Sequence, residues 1–204
     1  ILNLIDTPGH IDFSYEVYRS LAAVEGAILL VDDTQGIKAQ TLSHGLAALE
    51  QNLTLIPVIN KIDLVNADIE KTKKDLMDTF GFREDEILLV SGKTGEGVSE
   101  ILQAVVERMP VPAGHSGGRR PIESNVEDAI ASLQHDKVLR ALIFDSFFDS
   151  YKGVVAAVRV VDGEVPKVGT EIKFLGTKAT GQVLEAGYFG PQMVPTEKLE
   201  AGEI

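Results

Sequence analysis

Residues 53–63 read LTLIPVINKID and join a continuous apolar run to a polar loop. An apolar run of this length, rich in Ile, Leu and Val, is typical of a strand buried on both faces of a parallel sheet. Asn60, Lys61 and Asp63 would follow the carboxyl end of that strand, where open α/β sheets bind their ligands. The stretch therefore predicts a buried parallel strand that ends in a binding loop.

Three further apolar runs, at residues 2–5, 27–31 and 87–90, have the same character. They alternate with segments whose apolar residues recur at helical spacing. These residues are Phe13, Val17, Leu21 and Val24, then Leu42, Leu46 and Leu49, and finally Val98, Ile101, Leu102, Val105 and Met109. A further helix is expected between Asp68 as N-cap and Gly81 as the C′ residue. The alternation predicts a doubly wound α/β domain with a mostly parallel sheet.

The second half of the chain has a different pattern. A stretch rich in Pro and Gly predicts a linker, and a short helical pattern follows it at residues 126–133. Beyond it, short β-rich runs separated by Gly or Pro turns predict a small β-barrel. The expected organisation is an α/β domain at residues 1–110, a linker with a short helix at 111–138 and a barrel domain at 139–204.

The composition excludes several classes of protein. Of the 204 residues, 44% are hydrophobic and 25% are charged, which are ordinary values for a globular protein. The chain has no cysteine, so disulfides and thiolate chemistry are excluded, which is compatible with a reducing compartment. The net charge of −12 argues against a nucleic-acid binder that acts by bulk charge. No apolar run approaches the roughly 18 residues of a membrane span.

The sequence Asp6-Thr7-Pro8-Gly9-His10 follows the first expected strand. A carboxylate at the carboxyl end of a strand is well placed to hold Mg²⁺ through water. Gly9 lets a backbone N–H approach a phosphate closely, and His10 can orient a water for attack on the phosphoryl group. An ordinary turn is the alternative, since Asp, Pro and Gly all favour turns. The position directly after a strand favours the phosphate site.

The second candidate, Asn60-Lys61-Ile62-Asp63, begins 54 positions after Asp6. Asp63 can accept two hydrogen bonds from N1–H and the exocyclic amine of guanine, a pairing that adenine cannot supply. Asn60 can brace the neighbouring loop, and the Lys61 stem can lie over the base. A plain Asn/Asp turn is the alternative for this tetrapeptide taken alone.

The third candidate is Ser91-Gly92-Lys93, which follows the apolar run at residues 87–90. It is similar to the Ser-Ala-Lys element of GTPases, in which a backbone N–H meets O6 of guanine. Gly92 stands where that element has alanine and preserves the N–H. The segment is not a phosphate-binding P-loop, because the first glycine of that motif would fall at Ile87.

These three elements resemble the translational GTPases, and their flanks resemble the LepA (elongation factor 4) family. The flanking matches are residues 12–17, 19–23, 25–27, 35–37, 39–41, 50–53, 57–64, 141–146 and 149–154. The resemblance implies a P-loop-NTPase-like domain followed by a barrel, with GTP or GDP and Mg²⁺ as ligands. It further implies GTP hydrolysis on the ribosome by a monomeric cytoplasmic protein. Peripheral association with a membrane stays open.

The resemblance also assigns roles to single residues. It makes Asp6 the Mg²⁺-linked carboxylate, Gly9 the sensor of the γ-phosphate and His10 the catalytic residue that positions water. The expected nucleotide contacts are Asp6, Thr7, Pro8, Gly9, His10, Asn60, Lys61, Asp63, Ser91, Gly92 and Lys93.

Two departures bear on activity. The chain begins at Ile1 inside an expected strand and ends within β-like sequence, so a segment of a longer protein without a signal peptide is expected. The family's P-loop and switch-I threonine would lie upstream of Ile1. The chain alone is therefore expected to bind GTP feebly and not to hydrolyse it.

Other interpretations are open at this point. The chain is also compatible with a factor of the elongation factor G or BipA type. A non-catalytic module that keeps the guanine-reading loops, without the phosphate chemistry, is a third possibility. The residues that precede Ile1 would separate these alternatives, because a P-loop there favours the enzyme.

Overall fold

The structure is a computed structural model that describes residues 2–7, 14–112, 139–165, 168–188 and 193–204. The chain divides into two compact units. One unit contains residues 5–110, and the other contains residues 1–4 and 111–204.

Three parallel strands form the sheet of the first unit, with β2 between β1 and β3. The strands are β1 (Gly26–Asp32), β2 (Thr54–Asn60) and β3 (Leu88–Val90). Their register pairs Asp32 with Asn60 and Asn60 with Val90, so the three carboxyl ends lie at one edge of the sheet. Ile56 and Val58 of the central strand are fully buried. The buried parallel strand predicted from residues 53–63 is confirmed.

Helices connect and flank these strands. In the described part of this unit the α-helices are α1 (Ser14–Leu21), α2 (Ala39–Glu50), α3 (Ile69–Phe80) and α4 (Val98–Arg108), and a 3-10 helix spans Glu84–Glu86. Both predicted ends of α3 are confirmed. The Asp68 side chain accepts a hydrogen bond from the Lys71 N–H at 3.3 Å, and Gly81 has a left-handed φ of 76°. The alternation of strands and helices confirms an α/β unit with a parallel sheet.

The strand predicted at residues 2–5 is wrong. The structure assigns no strand to residues 2–7, and Leu2 and Leu4 are 58% and 85% exposed. A strand needs a neighbour that exchanges backbone hydrogen bonds with it. Among the described residues the sheet ends at β1, and no strand pairs with its outer edge. The apolar run therefore has no partner to order it.

The apolar face predicted for α2 is also wrong, although the helix itself is confirmed. Leu42, Leu46 and Leu49 are 37–44% exposed, whereas Gly45, Ala47 and Ala48 are the buried residues. A Cβ atom added at Gly45 would lie 2.5 Å from the Phe80 ring. The helix therefore approaches its neighbours through its small residues, because larger ones would not fit.

The second unit contains two antiparallel strands of ten residues each and six strands of two or three residues among the described residues. They are β4 (Arg140–Asp149), β5 (Gly153–Asp162), β6 (Glu164–Val165), β7 (Glu171–Lys173), β8 (Thr180–Gln182), β9 (Gly187–Tyr188), β10 (Val194–Pro195) and β11 (Leu199–Glu200). The pairs are β4 with β5, β6 with β11, β7 with β8 and β9 with β10. No closed barrel forms among the residues that the structure describes.

The β-rich run at residues 182–188, one of the runs that the sequence predicts for this unit, does not form a single strand. The run at residues 182–188 is interrupted between β8 and β9. Val183 and Ala186 both pack against the core cluster of Val160, Val165 and Leu199. Residues three apart would point to opposite faces of a strand, so the chain bends to bury both.

Two further predictions concern the linker and a membrane span. Most of the linker and its short helix, at residues 113–138, lie outside the described residues. Within the described ranges, no helix is both long enough and apolar enough to cross a bilayer.

Candidate functional site

A pocket of about 360 Å³ opens at the carboxyl edge of the parallel sheet. It is lined by the loops that follow β2 and β3, through Asn60, Lys61, Asp63, Leu64, Gly92 and Lys93. Because the two strands are parallel and in register, their loops meet at this edge. Two of the three sequence candidates are thereby brought together in one pocket.

Asn60 joins the two loops. Its Oδ1 accepts hydrogen bonds from the backbone N–H of Lys61 at 2.8 Å and from that of Gly92 at 3.0 Å. Lys61 has a left-handed φ of 69°, so the chain turns sharply directly after the strand. The first bond holds this turn, and the second fixes the β3 loop against it.

Ser91 orients Asp63. Ser91 is fully buried, and its Oγ donates a hydrogen bond of 2.6 Å to Asp63 Oδ1. The same Oγ accepts from the Thr94 N–H at 3.1 Å, which holds the hydroxyl in place. Ser91 does not line the pocket, but it sets the orientation of a carboxylate that does. Asp63 itself is exposed and open to a ligand.

Lys61 is held by a residue that the sequence analysis did not select for this site. Its Nζ lies 2.5 Å from Asp32 Oδ2, at the end of the neighbouring strand β1. Asp32 Oδ1 also accepts hydrogen bonds from the backbone N–H of Thr34 at 3.0 Å and from the Thr34 hydroxyl at 2.7 Å. Burial raises the pKa of Asp32, but the hydrogen bonds from Lys61 and Thr34 outweigh it and keep the pKa below its usual value. The sequence carries no local signal for this ion pair, because only the sheet register makes Asp32 the neighbour of Asn60.

The backbone N–H groups of Gly92 and Lys93, in the loop after β3, differ in whether they already donate a hydrogen bond. The Gly92 N–H already donates to Asn60. No hydrogen bond from the Lys93 N–H is found within the described part of the chain. The backbone N–H of Lys93 is therefore free to donate to a ligand at the pocket wall. The neighbouring Gly92 N–H could donate to a ligand only if it shared its hydrogen with Asn60 Oδ1.

The third sequence candidate is only partly described. Asp6 and Thr7 are exposed and do not line the pocket. Pro8, Gly9 and His10 lie outside the described residues. Over those residues, no group of three or more His, Cys, Asp or Glu side chains is arranged to hold a metal ion. Asp6 provides one exposed carboxylate. A single carboxylate fits a Mg²⁺ site whose other ligands are water molecules and phosphate oxygens.

Residues 1–111 match the family model for the elongation factor Tu GTP binding domain. The match covers more than half of the chain, which therefore belongs to this family of GTP-binding domains.

Among its curated relatives, elongation factor 4 of Thermotoga maritima is 50% identical over 203 residues. Elongation factor 4 of Clostridium novyi is 48% identical over 204 residues. Both alignments cover 100% of this chain but only 30% and 31% of the relatives' length. The resemblance to the elongation factor 4 family, expected from the flanking residues, is confirmed.

Solved structures of translation factors share the fold. Elongation factor SelB from Methanococcus maripaludis, in complex with the GTP analogue GppNHp, is 26% identical with a TM-score of 0.68. That alignment covers 98% of this chain and 41% of the other. A bacterial selenocysteine-specific elongation factor matches with a TM-score of 0.67 at 24% identity, over 97% of this chain and 31% of that one.

Proposed function

We propose that the chain is the guanine-nucleotide-binding part of an elongation factor 4-type GTPase that hydrolyses GTP to GDP and phosphate on the ribosome. The observation that carries the proposal is the pocket in which Ser91 orients Asp63 while Asn60 fixes the Gly92–Lys93 loop. The family match and the relatives' names support the same assignment.

The pocket would read the base as follows. Asp63 accepts N1–H and the exocyclic amine of guanine, and the N–H groups of Gly92 and Lys93 face O6. Adenine presents the reverse pattern at these positions, an acceptor at N1 and a donor at N6, so it would leave donors and acceptors unmatched. The Lys61 stem covers the base while its Nζ stays on Asp32.

The chemical step would belong to residues 6–10. Asp6 would hold Mg²⁺ through water, Thr7 and Pro8 would shape the loop, and Gly9 would sense the γ-phosphate. His10 would position the attacking water. When bound, Mg²⁺ would neutralise charge on the β- and γ-phosphates.

The rest of the proposal concerns organisation and partners. Residues 1–110 would form the P-loop-NTPase-like GTP-binding domain, 111–138 the linker and 139–204 a β-barrel domain. The partner would be the ribosome, in the cytoplasm, and the protein would be a monomer. No membrane span is part of the proposal, and peripheral membrane contact is left to experiment.

Calorimetric titration of the full-length protein that contains this chain with GDP and ADP tests the base assignment. GDP is expected to bind at least about 10-fold more tightly, because hydrogen bonds to a charged group contribute about 1.5–3 kcal/mol. Inosine diphosphate, which lacks the exocyclic amine, should fall between the two. Equal affinity for GDP and ADP would refute the guanine site.

A further inference from the structure

Lys61 is held both at its backbone and at the tip of its side chain. Its φ of 69° lies in the left-handed region, which residues with a Cβ atom rarely adopt. The Lys61 N–H donates to Asn60 Oδ1 at 2.8 Å, which holds this conformation. At the other end of the residue, Nζ lies 2.5 Å from Asp32 Oδ2. Residues held in an uncommon backbone conformation cluster at ligand sites, so the second contact calls for a functional reason.

The Asp32 carboxylate is fixed without the help of Lys61. Its Oδ1 accepts from the backbone N–H and the hydroxyl of Thr34, and its Oδ2 accepts from the Gln35 side-chain amide at 3.1 Å. The Asp32 carbonyl also accepts from the N–H groups of Gln35 and Gly36 at 3.0 and 2.9 Å, which closes the turn after β1. The ion pair therefore orders the long lysine side chain rather than the short aspartate.

The two members of the ion pair differ in their access to the proposed guanine pocket. Lys61 lines this pocket, whereas Asp32 does not. Asp32 stands at the end of the neighbouring strand β1, where the sheet register makes it the partner of Asn60. Asp32 can therefore influence a bound base through Lys61, without touching the base itself.

Ordering of the Lys61 side chain before binding should favour the nucleotide. A free lysine side chain populates many rotamers, and a ligand that packs on its stem has to order them. The Lys61 side chain is 47% exposed, so without the ion pair it would move in water. Ion pairs at exposed sites favour the paired arrangement by about 1.5- to 5-fold. The Asp32 side chain is only 23% exposed, which places this pair toward the upper end of that range.

We propose that Asp32 is a positioning residue for nucleotide binding, which holds the Lys61 stem in place as a wall for the purine ring. This inference rests on the proposed guanine site. Asp63 reads the edge of the base, whereas the Lys61 stem packs on a ring face that every purine presents. Asp32 therefore sets how tightly a purine nucleotide binds, and it leaves the choice between purines unchanged.

Calorimetric titration of the full-length protein that contains this chain measures both properties, with GDP and inosine diphosphate as ligands. Asp32→Asn removes the charge and keeps the size of the side chain. It should weaken the binding of both nucleotides by the same factor, about 3- to 5-fold. The preference for GDP over inosine diphosphate should stay that of the wild type. Asp85→Asn is the matched control, because it breaks an exposed ion pair with Arg83 outside the pocket, and both affinities should stay unchanged.

A double-mutant cycle separates the positioning of Lys61 from a general effect on the turn after β1. Lys61→Met keeps an unbranched apolar stem but cannot form the ion pair, so it should weaken GDP binding about as much as Asp32→Asn does. In the Lys61→Met background, Asp32→Asn should have almost no further effect, because the anchored group is already gone. A purely structural role of Asp32 would instead give two independent losses that multiply.

All variants are titrated well below their melting temperatures, so that a loss of stability is not read as a loss of affinity. The proposal is overturned if Asp32→Asn binds GDP as tightly as the wild type or changes the preference between GDP and inosine diphosphate. It is also overturned if the losses from Asp32→Asn and Lys61→Met multiply. The wild-type preference for GDP over ADP tests the guanine site separately. If that preference is absent, the guanine site is wrong and this proposal fails with it, whereas a wild type that prefers GDP leaves the cycle to decide on Asp32 alone.

Discussion

Ser91 Oγ donates a 2.6 Å hydrogen bond to Asp63 Oδ1, joining two loops that are 28 positions apart in the sequence. A buried hydroxyl thus orients an exposed carboxylate before any ligand arrives. Asp63 Oδ2 has no partner in the described residues and stays available to a base. Preorganisation of this kind lowers the ordering cost of binding.

Replacement of Ser91 tests this relationship. Ser91→Ala frees the Asp63 side chain and leaves the Thr94 N–H without its acceptor. We expect GDP affinity to fall about 3- to 10-fold, because binding must then order one more side chain. The free energy of unfolding should fall by about 1–2 kcal/mol. Titration calorimetry and urea denaturation measure the two effects. Ser99→Ala, the same change at an exposed site on α4, is the control, and unchanged GDP affinity in Ser91→Ala would contradict the orienting role.

The pKa of Asp32 predicts a pH dependence. A carboxyl whose pKa is lower in the folded than in the unfolded state stabilises the fold above its unfolded pKa, about 4. That stabilisation is lost as the pH falls through the lower, folded value. Asp32→Asn should therefore reduce the free energy of unfolding near neutral pH and flatten its decline below about pH 4. Urea denaturation across this range measures both. If the free energy of unfolding of Asp32→Asn declines at low pH as that of the wild type does, the Asp32 carboxylate does not contribute to acid sensitivity.

Two glycines with the same backbone conformation should respond differently to substitution. Gly97 and Gly81 have φ values of 74° and 76°. A Cβ at Gly97 would lie 2.1 Å from the Leu89 carbonyl oxygen, whereas a Cβ at Gly81 meets nothing within 4 Å. Gly81→Ala should cost about 1 kcal/mol of stability from the left-handed backbone alone. Gly97→Ala should cost about 3 kcal/mol, since the clash adds to that strain. If the two variants lose the same stability in thermal denaturation, Gly97 does not approach the Leu89 carbonyl as closely as the structure shows.

The Tyr188 phenol should lose its proton at a higher pH than an ordinary tyrosine. Its burial, and then its hydrogen bond to Glu203, raise the pKa of the phenol to about 12. A pKa that is raised on folding stabilises the fold fully below the unfolded value, about 10, and this contribution is lost as the pH rises toward 12. The phenolate absorbance of the wild type should show a step near pH 12 that Tyr188→Phe lacks. If the titration curves of the two proteins coincide above about pH 11, Tyr188 does not have this environment.

The sequence predicted the elements whose signal is local. The apolar run before Asn60 predicted β2, and Asp68 and Gly81 predicted the two ends of α3. These predictions were correct because the signal for each element lies in residues that are close together in the chain. Residues 2–5 have an equally apolar run but no neighbouring strand among the described residues, and pairing is not a local property. The buried face of α2 was missed for a related reason. Small residues at Gly45, Ala47 and Ala48 are buried by close approach, which hydrophobic periodicity does not register.

The candidate site was predictable to a similar extent. Asn60, Asp63 and Lys93 were selected from their motifs, and the structure places them around one pocket. The partner of Lys61 was not selected, because Asp32 lies on another strand and only the sheet register brings the two together.

The central claim is that Asp63 reads the exocyclic amine of guanine. Competition between guanosine and xanthosine diphosphates for the wild type and for Asp63→Asn tests it most directly. Xanthine has a carbonyl where guanine has the amine, so the asparagine amide can donate to it. The wild type should prefer guanosine diphosphate, and Asp63→Asn should prefer xanthosine diphosphate. If Asp63→Asn keeps the wild-type preference for guanosine diphosphate, Asp63 does not contact the base and the proposed site is wrong.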